Sequence, residues 1–198
     1  MLYVYSATQI TGLGLVPPKD RTQSDMRYVQ GRAPDPNTPG APAPAGGGGE
    51  GGGGAEFTVQ GLPLVKPPYG RITAFDMNKG DIVWQIAHGE TPDNIRNHPA
   101  LKGLNIPRTG RIGRIGTLVT KTLVIAGEGG FATTPNGQRG AMLRAYDKAT
   151  GQELGAVYMP APQTGSPMTY MLGGKQYIVL AIAGPGFPAE LMAFRLPL

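Results

Sequence analysis

The chain has 198 residues, 18 Lys+Arg against 13 Asp+Glu for a net charge of +5, and no cysteine. That length accommodates one domain or two small ones, and the missing cysteines exclude disulfides, thiolate metal sites and cysteine nucleophiles. Glycine (32) and proline (20) are both abundant, but the excess is local: residues 31 to 68 hold 11 Gly and 8 Pro in 38 residues, so one biased insert sits beside foldable sequence.

In chain order, residues 2 to 6 alternate as a strand, a Gly-Leu-Gly-Leu loop follows at 12 to 15, and residues 17 to 30 are polar and weakly patterned. The opening Met1-Leu-Tyr-Val-Tyr-Ser has no basic leader and does not read as a signal peptide, and no apolar run approaches the ~20 residues of a membrane span. Residues 31 to 55 contain Pro-Asp-Pro and two runs of four glycines around Glu50. With almost nothing to bury, they are expected to form a flexible surface loop or linker. The expected division is 1–30 as the strand and loop of an incomplete unit, 31–56 as the flexible insert, and 57–198 as a β-rich body.

Beyond residue 57, short β-rich runs alternate with turn signals. Arg71-Ile-Thr-Ala-Phe-Asp is a strand, Met77-Asn-Lys-Gly is a turn whose Gly80 suits positive φ, and Asp81-Ile-Val-Trp-Gln-Ile is the returning strand. Residues 92 to 104 are the one stretch with helical character. Residues 116–120 and 122–127 form a second hairpin. Leu143-Arg-Ala-Tyr-Asp, Lys148-Ala-Thr-Gly and Gln152-Glu-Leu-Gly-Ala-Val then repeat the first hairpin 71 residues on, Asp147 aligning with Asp76 and Gly151 with Gly80. Met168-Thr-Tyr-Met, Gly173-Gly-Lys and Gln176-Tyr-Ile-Val-Leu-Ala-Ile form a further hairpin, and Leu191-Met-Ala-Phe-Arg-Leu resembles the strand at 71–76. Recurring four-stranded units with an Ala-aromatic-Asp strand and a Gly turn are the pattern of β-propeller blades. Two units plus fractions fit in this length, whereas rings close with about 4 to 8. The expected fold is therefore all-β and part of a ring.

Ala74-Phe-Asp-Met-Asn-Lys-Gly-Asp-Ile-Val-Trp84 and Ala145-Tyr-Asp-Lys-Ala-Thr-Gly-Gln-Glu-Leu resemble the Ala-x-Asp-x-x-Thr-Gly-x-x-x-Trp repeat of quinoprotein dehydrogenases, which use pyrroloquinoline quinone (PQQ). Gly165-Ser-Pro-Met-Thr-Tyr-Met-Leu-Gly-Gly-Lys-Gln-Tyr-Ile-Val-Leu-Ala is similar to the last blade of the membrane-type glucose dehydrogenases. The resemblance covers residues 1–16 and 57–198. Two departures stand out: the first repeat has Asn-Lys-Gly at its turn, and the second has Gly155 where the docking Trp belongs.

The resemblance implies a fragment holding the C-terminal blades of an eight-bladed quinoprotein propeller. The parent would oxidise a sugar or alcohol hydroxyl, passing two electrons to PQQ while calcium polarises the quinone and a carboxylate takes the proton. Base and calcium ligands belong to earlier blades, so no catalytic residue and no metal ligand is assigned here, and the chain alone is expected to be inactive. Implied partners are the remaining blades, the substrate, and a quinone or cytochrome electron acceptor, in a periplasmic or periplasm-facing setting. The competing reading is a non-catalytic propeller of the same repeat serving as an assembly scaffold.

Arg96, Lys102, Arg108, Arg111, Arg114 and Lys121 place six cations between Asn94 and Gly127 with no acid among them. Such an excess reads either as a solvated basic face or as an anion site. PQQ carries three carboxylates, which arginine forks match. Residues 106–116 precede what the resemblance makes a channel-facing inner strand, so Arg108, Thr109 and Arg111 are the expected cofactor-binding residues. Trp84 reads as a blade-docking side chain, Asp76 and Asp147 as turn acceptors, and His98 as exposed. Glu128, in Gly127-Glu-Gly-Gly, reads as a solvated turn residue, with a channel-facing carboxylate as the alternative. No nucleic-acid partner is expected, because no aromatic or Arg-Gly-Gly interleaving accompanies the charge.

Overall fold

A computed structural model describes residues 1–10, 14–18, 20–22, 25–31 and 58–195; apart from Gly31, the Gly/Pro-rich insert lies outside the described residues. The chain divides into two units, one of Gln9–Val65 and one of Met1–Thr8 with Lys66–Leu198. The larger unit opens with β1 (Leu2–Ala7). The smaller holds two short antiparallel pairs, β2 (Gly14–Val16) with β3 (Val29–Gly31) and β4 (Thr58–Val59) with β5 (Leu62–Pro63). Part of the expected loop at 12–15 is thus a strand, because its Gly-Leu-Val tail finds a partner about 15 residues on, beyond the reach of local turn rules.

The larger unit is built on three antiparallel sheets. The first runs β1, β6 (Gly70–Asp76), β7 (Asp81–Ala87). Next comes α1 (Asp93–Arg96), followed by a single 3₁₀ turn at Pro99–Leu101. The helical character of residues 92–104 is limited to these two pieces because Pro99 has no N–H to continue a ladder. His98 is a structural cap there, its Nδ1 accepting from the Ala100 N–H at 3.2 Å.

The second sheet is a meander of β8 (Leu118–Val119), β9 (Leu123–Gly127), β11 (Arg139–Asp147) and β12 (Glu153–Met159), with β10 (Ala132–Thr133) pairing the start of β11. The third runs β13 (Met168–Leu172), β14 (Lys175–Gly184), β15 (Phe187–Arg195).

Period-two alternation in the second sheet supplies two faces at once. Val124, Ala126 and Tyr146 pack on Ile72, Ala74 and Trp84 of the first sheet, while Ile125, Ala141, Leu143 and Met159 pack on Leu180 and Ile182 of the third. Each sheet buries a face only by stacking on the next, the blade-on-blade arrangement expected from the repeat.

The repeat's recurring residues have visible tasks. Asp76 Oδ1 accepts from the Asn78 N–H at 2.9 Å, and Asp147 Oδ1 accepts from the N–H groups of Ala149 (2.9 Å) and Thr150 (2.8 Å). Trp84 is buried, and its indole N–H donates to the Lys148 carbonyl at 3.1 Å, which also accepts from the Tyr3 hydroxyl at 3.1 Å. The indole lies on Gly151, whose φ is +76° and where a Cβ would stand 2.8 Å from the ring. The first hairpin therefore docks its Trp on the turn glycine of the second. Gly155, in the place of a second Trp, faces open space.

Trp84→Ala is expected to cost about 3–5 kcal/mol, the usual penalty for removing a buried tryptophan. Gly151→Ala should also destabilise, through both the positive φ and the indole contact. Guanidinium denaturation of each variant checks this; a Gly151→Ala midpoint equal to that of the parent would overturn the docking account.

Candidate functional site

Antiparallel pairing puts the turns at 77–80 and 148–151 at one end of the sheets and gathers the connections 88–117, 128–138 and 160–167 at the other. That second end carries the polar chemistry. Its centre is Arg144 in β11, 2% exposed although it is charged. Nε donates to Glu128 Oε1 at 2.7 Å, Nη1 to Glu153 Oε1 at 2.8 Å and Nη2 to Glu90 Oε1 at 2.6 Å. Burial opposes the charge, but the Glu128 carboxylate and its hydrogen bond, then Glu153, hold the Arg144 pKa above its ordinary value. Glu128 is 0% exposed and also accepts from the N–H groups of Glu90 (3.0 Å) and Met142 (3.2 Å). The expectation of a solvated Glu128 is corrected: the neighbouring Arg144 gives the carboxylate a partner strong enough to bury it.

His88, 1% exposed, lies beside this cluster. Its Nε2 is 2.9 Å from the Gly127 carbonyl, which can only accept, so Nε2 carries the proton and Nδ1 accepts from the Tyr146 hydroxyl at 2.8 Å. Burial lowers the His88 pKa, opposed by the Gly127 carbonyl and by Glu128. Burial likewise raises that of Tyr146. The Tyr5 ring stands edge-on to His88 at 5.8 Å, and its hydroxyl donates to the Arg111 carbonyl at 2.6 Å. Burial pushes the Tyr5 phenol up to about 12.

Next to Tyr5 an open cleft of about 520 Å³ is lined by Tyr5, Ser6, Arg114, Gly116, Thr164 and Ser166, among others. It lies where the leads into β8 and β13 meet the end of β1. None of the described residues that line it is acidic.

The residues expected to bind a cofactor are distributed differently. Arg108, partly exposed, pairs with Glu153 at 2.5 Å and Glu90 at 3.4 Å. Thr109 is buried, its N–H donating to Thr91 Oγ1 at 3.2 Å and its hydroxyl to the Gly110 carbonyl at 3.2 Å. Arg111 is 5% exposed; Nη1 donates to the Gly130 carbonyl at 3.3 Å, Nη2 to the Thr91 carbonyl at 3.5 Å, and Nε has no hydrogen-bond partner among the described residues. Burial lowers its pKa, opposed by Glu128 and Asp93. The basic loop is thus not one solvated face: Arg111 is inside, Arg108 is committed to carboxylates of this chain, and Arg114 lines the cleft.

Tyr5, Ser6, Thr164 and Ser166 were not singled out from the sequence; Ser166 lies within the stretch at 165–181 that carries the resemblance, the one signal pointing to it. Arg144 also carried a signal, a lone charge inside the apolar strand Leu143-Arg-Ala-Tyr. Among the described residues, no three His, Asp or Glu side chains come together to hold a metal ion, and no helix is long and apolar enough to cross a membrane.

The family described as "PQQ: Glucose/ethanol/alcohol dehydrogenase, beta-propeller domain" matches residues 1–178. The chain is 30% identical over 142 residues to quinoprotein glucose dehydrogenase A of Acinetobacter calcoaceticus, covering 69% of this chain and 16% of that protein. It is 33% identical over 129 residues to the quinate/shikimate dehydrogenase (quinone) of Acinetobacter baylyi, covering 63% and 14%. It is 31% identical over 146 residues to the glycerol dehydrogenase large subunit of Gluconobacter thailandicus, covering 69% and 18%. The chain spans less than a fifth of the length of these relatives. It belongs to the β-propeller family of PQQ-dependent dehydrogenases.

Two outcomes follow from the polar end. Glu128→Ala leaves Arg144 buried without its fully buried partner and is expected to cost about 3–5 kcal/mol in thermal or chemical denaturation. For His88 the folded pKa lies below the unfolded value of about 6.5, so the unfolded chain takes up the proton first. Its contribution is full above about pH 6.5 and is lost as pH falls from there through the folded pKa. Stability measured across pH should show that slope, and His88→Gln, which keeps one donor and one acceptor, should flatten it.

Proposed function

We propose that this chain forms closing blades of a PQQ-dependent sugar or alcohol dehydrogenase, and that the cleft is part of the wall holding the cofactor. The observation that carries the reading is the chemistry of the cleft: Arg114 and the hydroxyls of Ser6, Thr164 and Ser166 beside Tyr5, with no carboxylate among the described lining residues. A planar group bearing several carboxylates and carbonyls needs that set, a fixed cation with hydrogen-bond donors around it. When bound, PQQ supplies a two-electron acceptor for the oxidation of a hydroxyl.

In this reading Arg114 orients the cofactor through a carboxylate. Tyr5, with its phenol pushed up to about 12, stays protonated and does not serve as a base; its one proton goes to the Arg111 carbonyl, so toward the cleft its oxygen only accepts. Of Arg108, Thr109 and Arg111, which stand behind the cleft, Arg111 is the one kept as a cofactor contact: it has an Nε donor with no partner among the described residues, and its carbonyl anchors Tyr5. His88 is sealed from solvent and Glu128 is taken up by Arg144, so neither serves as the base for the substrate hydroxyl. The described residues do not suit a calcium ion, and the proposal assigns both calcium and base to other blades of a longer protein.

The outer sheets support such neighbours. Leu2, Val4 and Ile82 on the first and Met168, Leu172 and Leu191 on the third are large, apolar and exposed, as faces awaiting further sheets would be. The proposed substrate is a sugar or alcohol, the acceptor a quinone or cytochrome, and the location periplasmic or periplasm-facing.

The test is PQQ titration of the complete enzyme with Arg114→Ala, Arg111→Ala and Arg108→Ala made separately. Losing a charge-assisted hydrogen bond should weaken binding roughly tenfold or more at Arg114 and Arg111. Arg108→Ala should act mainly on stability, because it unpairs Glu153 and Glu90. Unchanged affinity in all three variants would overturn the site and favour the scaffold reading.

A further inference from the structure

We propose that Gln163 is a positioning residue for the cleft: from behind the wall it ties residues 113–116 to residues 164–166 and so sets the width at which the cofactor is held. This deepens the functional reading above and rests on it. Gln163 does not line the cleft and is 3% exposed. Its Oε1 accepts from the Gly127 N–H at 2.6 Å, and its Nε2 donates to the Gly116 carbonyl at 2.9 Å. Those partners fix which amide atom is which, because an N–H needs the oxygen and a carbonyl needs the nitrogen.

The backbone around Gln163 is pinned on both sides. Its own N–H donates to the Glu128 carbonyl at 3.0 Å in the second sheet, while Thr164 N–H donates to Ala181 at 3.0 Å and Ala183 N–H to Pro162 at 3.1 Å in the third. The side chain then reaches the opposite wall at Gly116. There the two walls are already in contact, since a Cβ at Gly116 would lie 2.2 Å from Ser166 Oγ. A single buried amide therefore spans the second sheet, the lead into β8 and the lead into β13. Any loosening of its donor arm is transmitted to Arg114 and Ser166, two residues and three residues along the chain from its contacts. The charged groups adjoining this bridge are Glu128, paired with Arg144 beyond Gly127, and Arg114 beyond Gly116.

Glutamate at this position can still accept from Gly127, but when ionised it turns a charged oxygen toward the Gly116 carbonyl. Protonation restores the donor, and burial raises the pH at which that happens. The experiment titrates PQQ into the complete apoenzyme, wild type, Gln163→Glu and Gln163→Met, at about pH 8 and about pH 5, following quinone absorbance. The melting temperature of each apoprotein is recorded alongside. Relative to wild type at the same pH, Gln163→Glu should bind roughly tenfold more weakly at the higher pH and recover to within about threefold at the lower. Gln163→Met, which keeps the volume and loses both bonds, should bind weakly at both.

A Gln163→Glu ratio that does not change with pH would overturn the positioning role, since a merely structural defect has no reason to be repaired by that proton. Should the glutamate variant not fold at the higher pH, wild-type affinity in a folded Gln163→Met protein would overturn it equally. A wild type that takes up no PQQ at either pH would bring down the functional reading and this inference with it, whereas binding with a flat ratio brings down the Gln163 role alone.

Discussion

The polar end of the molecule depends on one buried guanidinium. Taking a charge such as that of Arg144 out of water costs several kcal/mol, and the cost is offset only if the geometry is good and every donor is used. Arg144 bonds through all three of its nitrogens to carboxylates from three places: Glu128 just after β9, Glu153 at the start of β12, and Glu90 on the connection leaving β7. Two of those belong to the second sheet or directly follow its strand and one follows the first, so the charge balance itself binds the sheets together. Arg108 and Arg96 then neutralise the carboxylate oxygens turned toward the surface. A salt bridge of this kind adds less to stability than to specificity, because an apolar substitute would leave the connection at 88–91 free to settle elsewhere.

From that anchor the order passes outward by backbone contacts. Glu128 is held by Arg144, and its carbonyl receives Gln163; Gly127, one residue earlier, receives His88 at its carbonyl and gives its N–H to Gln163. Tyr5 leans on His88 and holds Arg111, whose N–H in turn donates to the His88 carbonyl at 2.9 Å. Each link is a hydrogen bond or ring contact away from solvent, where a missing partner is expensive. The cleft is where this path reaches solvent, with Tyr5 on its lining.

How much of this was legible in the sequence follows from the range of the interactions. The hairpins at 71–86 and 143–157 were, because an Asp–turn–Gly sequence acts over five residues and alternation over seven. Trp84 was readable as a docking residue for the same reason: its partner is the copy of its own turn. The strand at Gly14–Val16 and the true extent of helix in residues 92–104 were not, since one depends on a distant partner and the other on a proline overriding a weak local preference. Glu128 and Arg144 illustrate the sharper limit. A turn glutamate reads as solvent-facing alone, and the juxtaposition of Glu128 with Arg144 across β9 and β11 is what lets both be buried.

The basic run at 96–121 shows why composition misleads about sites. Six cations without an acid look like one surface, yet folding sorts them by what each backbone position can reach. Arg96 and Arg108 find carboxylates supplied by β12 and the connection after β7, and Arg111 is drawn inside against carbonyls of Thr91 and Gly130. Arg114, with two residues between it and Arg111, lines the cleft instead. The glutamates thus have two effects with one cause. They hold the loop by capturing its neighbours, and their carboxylates are taken up by Arg144, Arg96 and Arg108 rather than placed among the described residues that line the cleft.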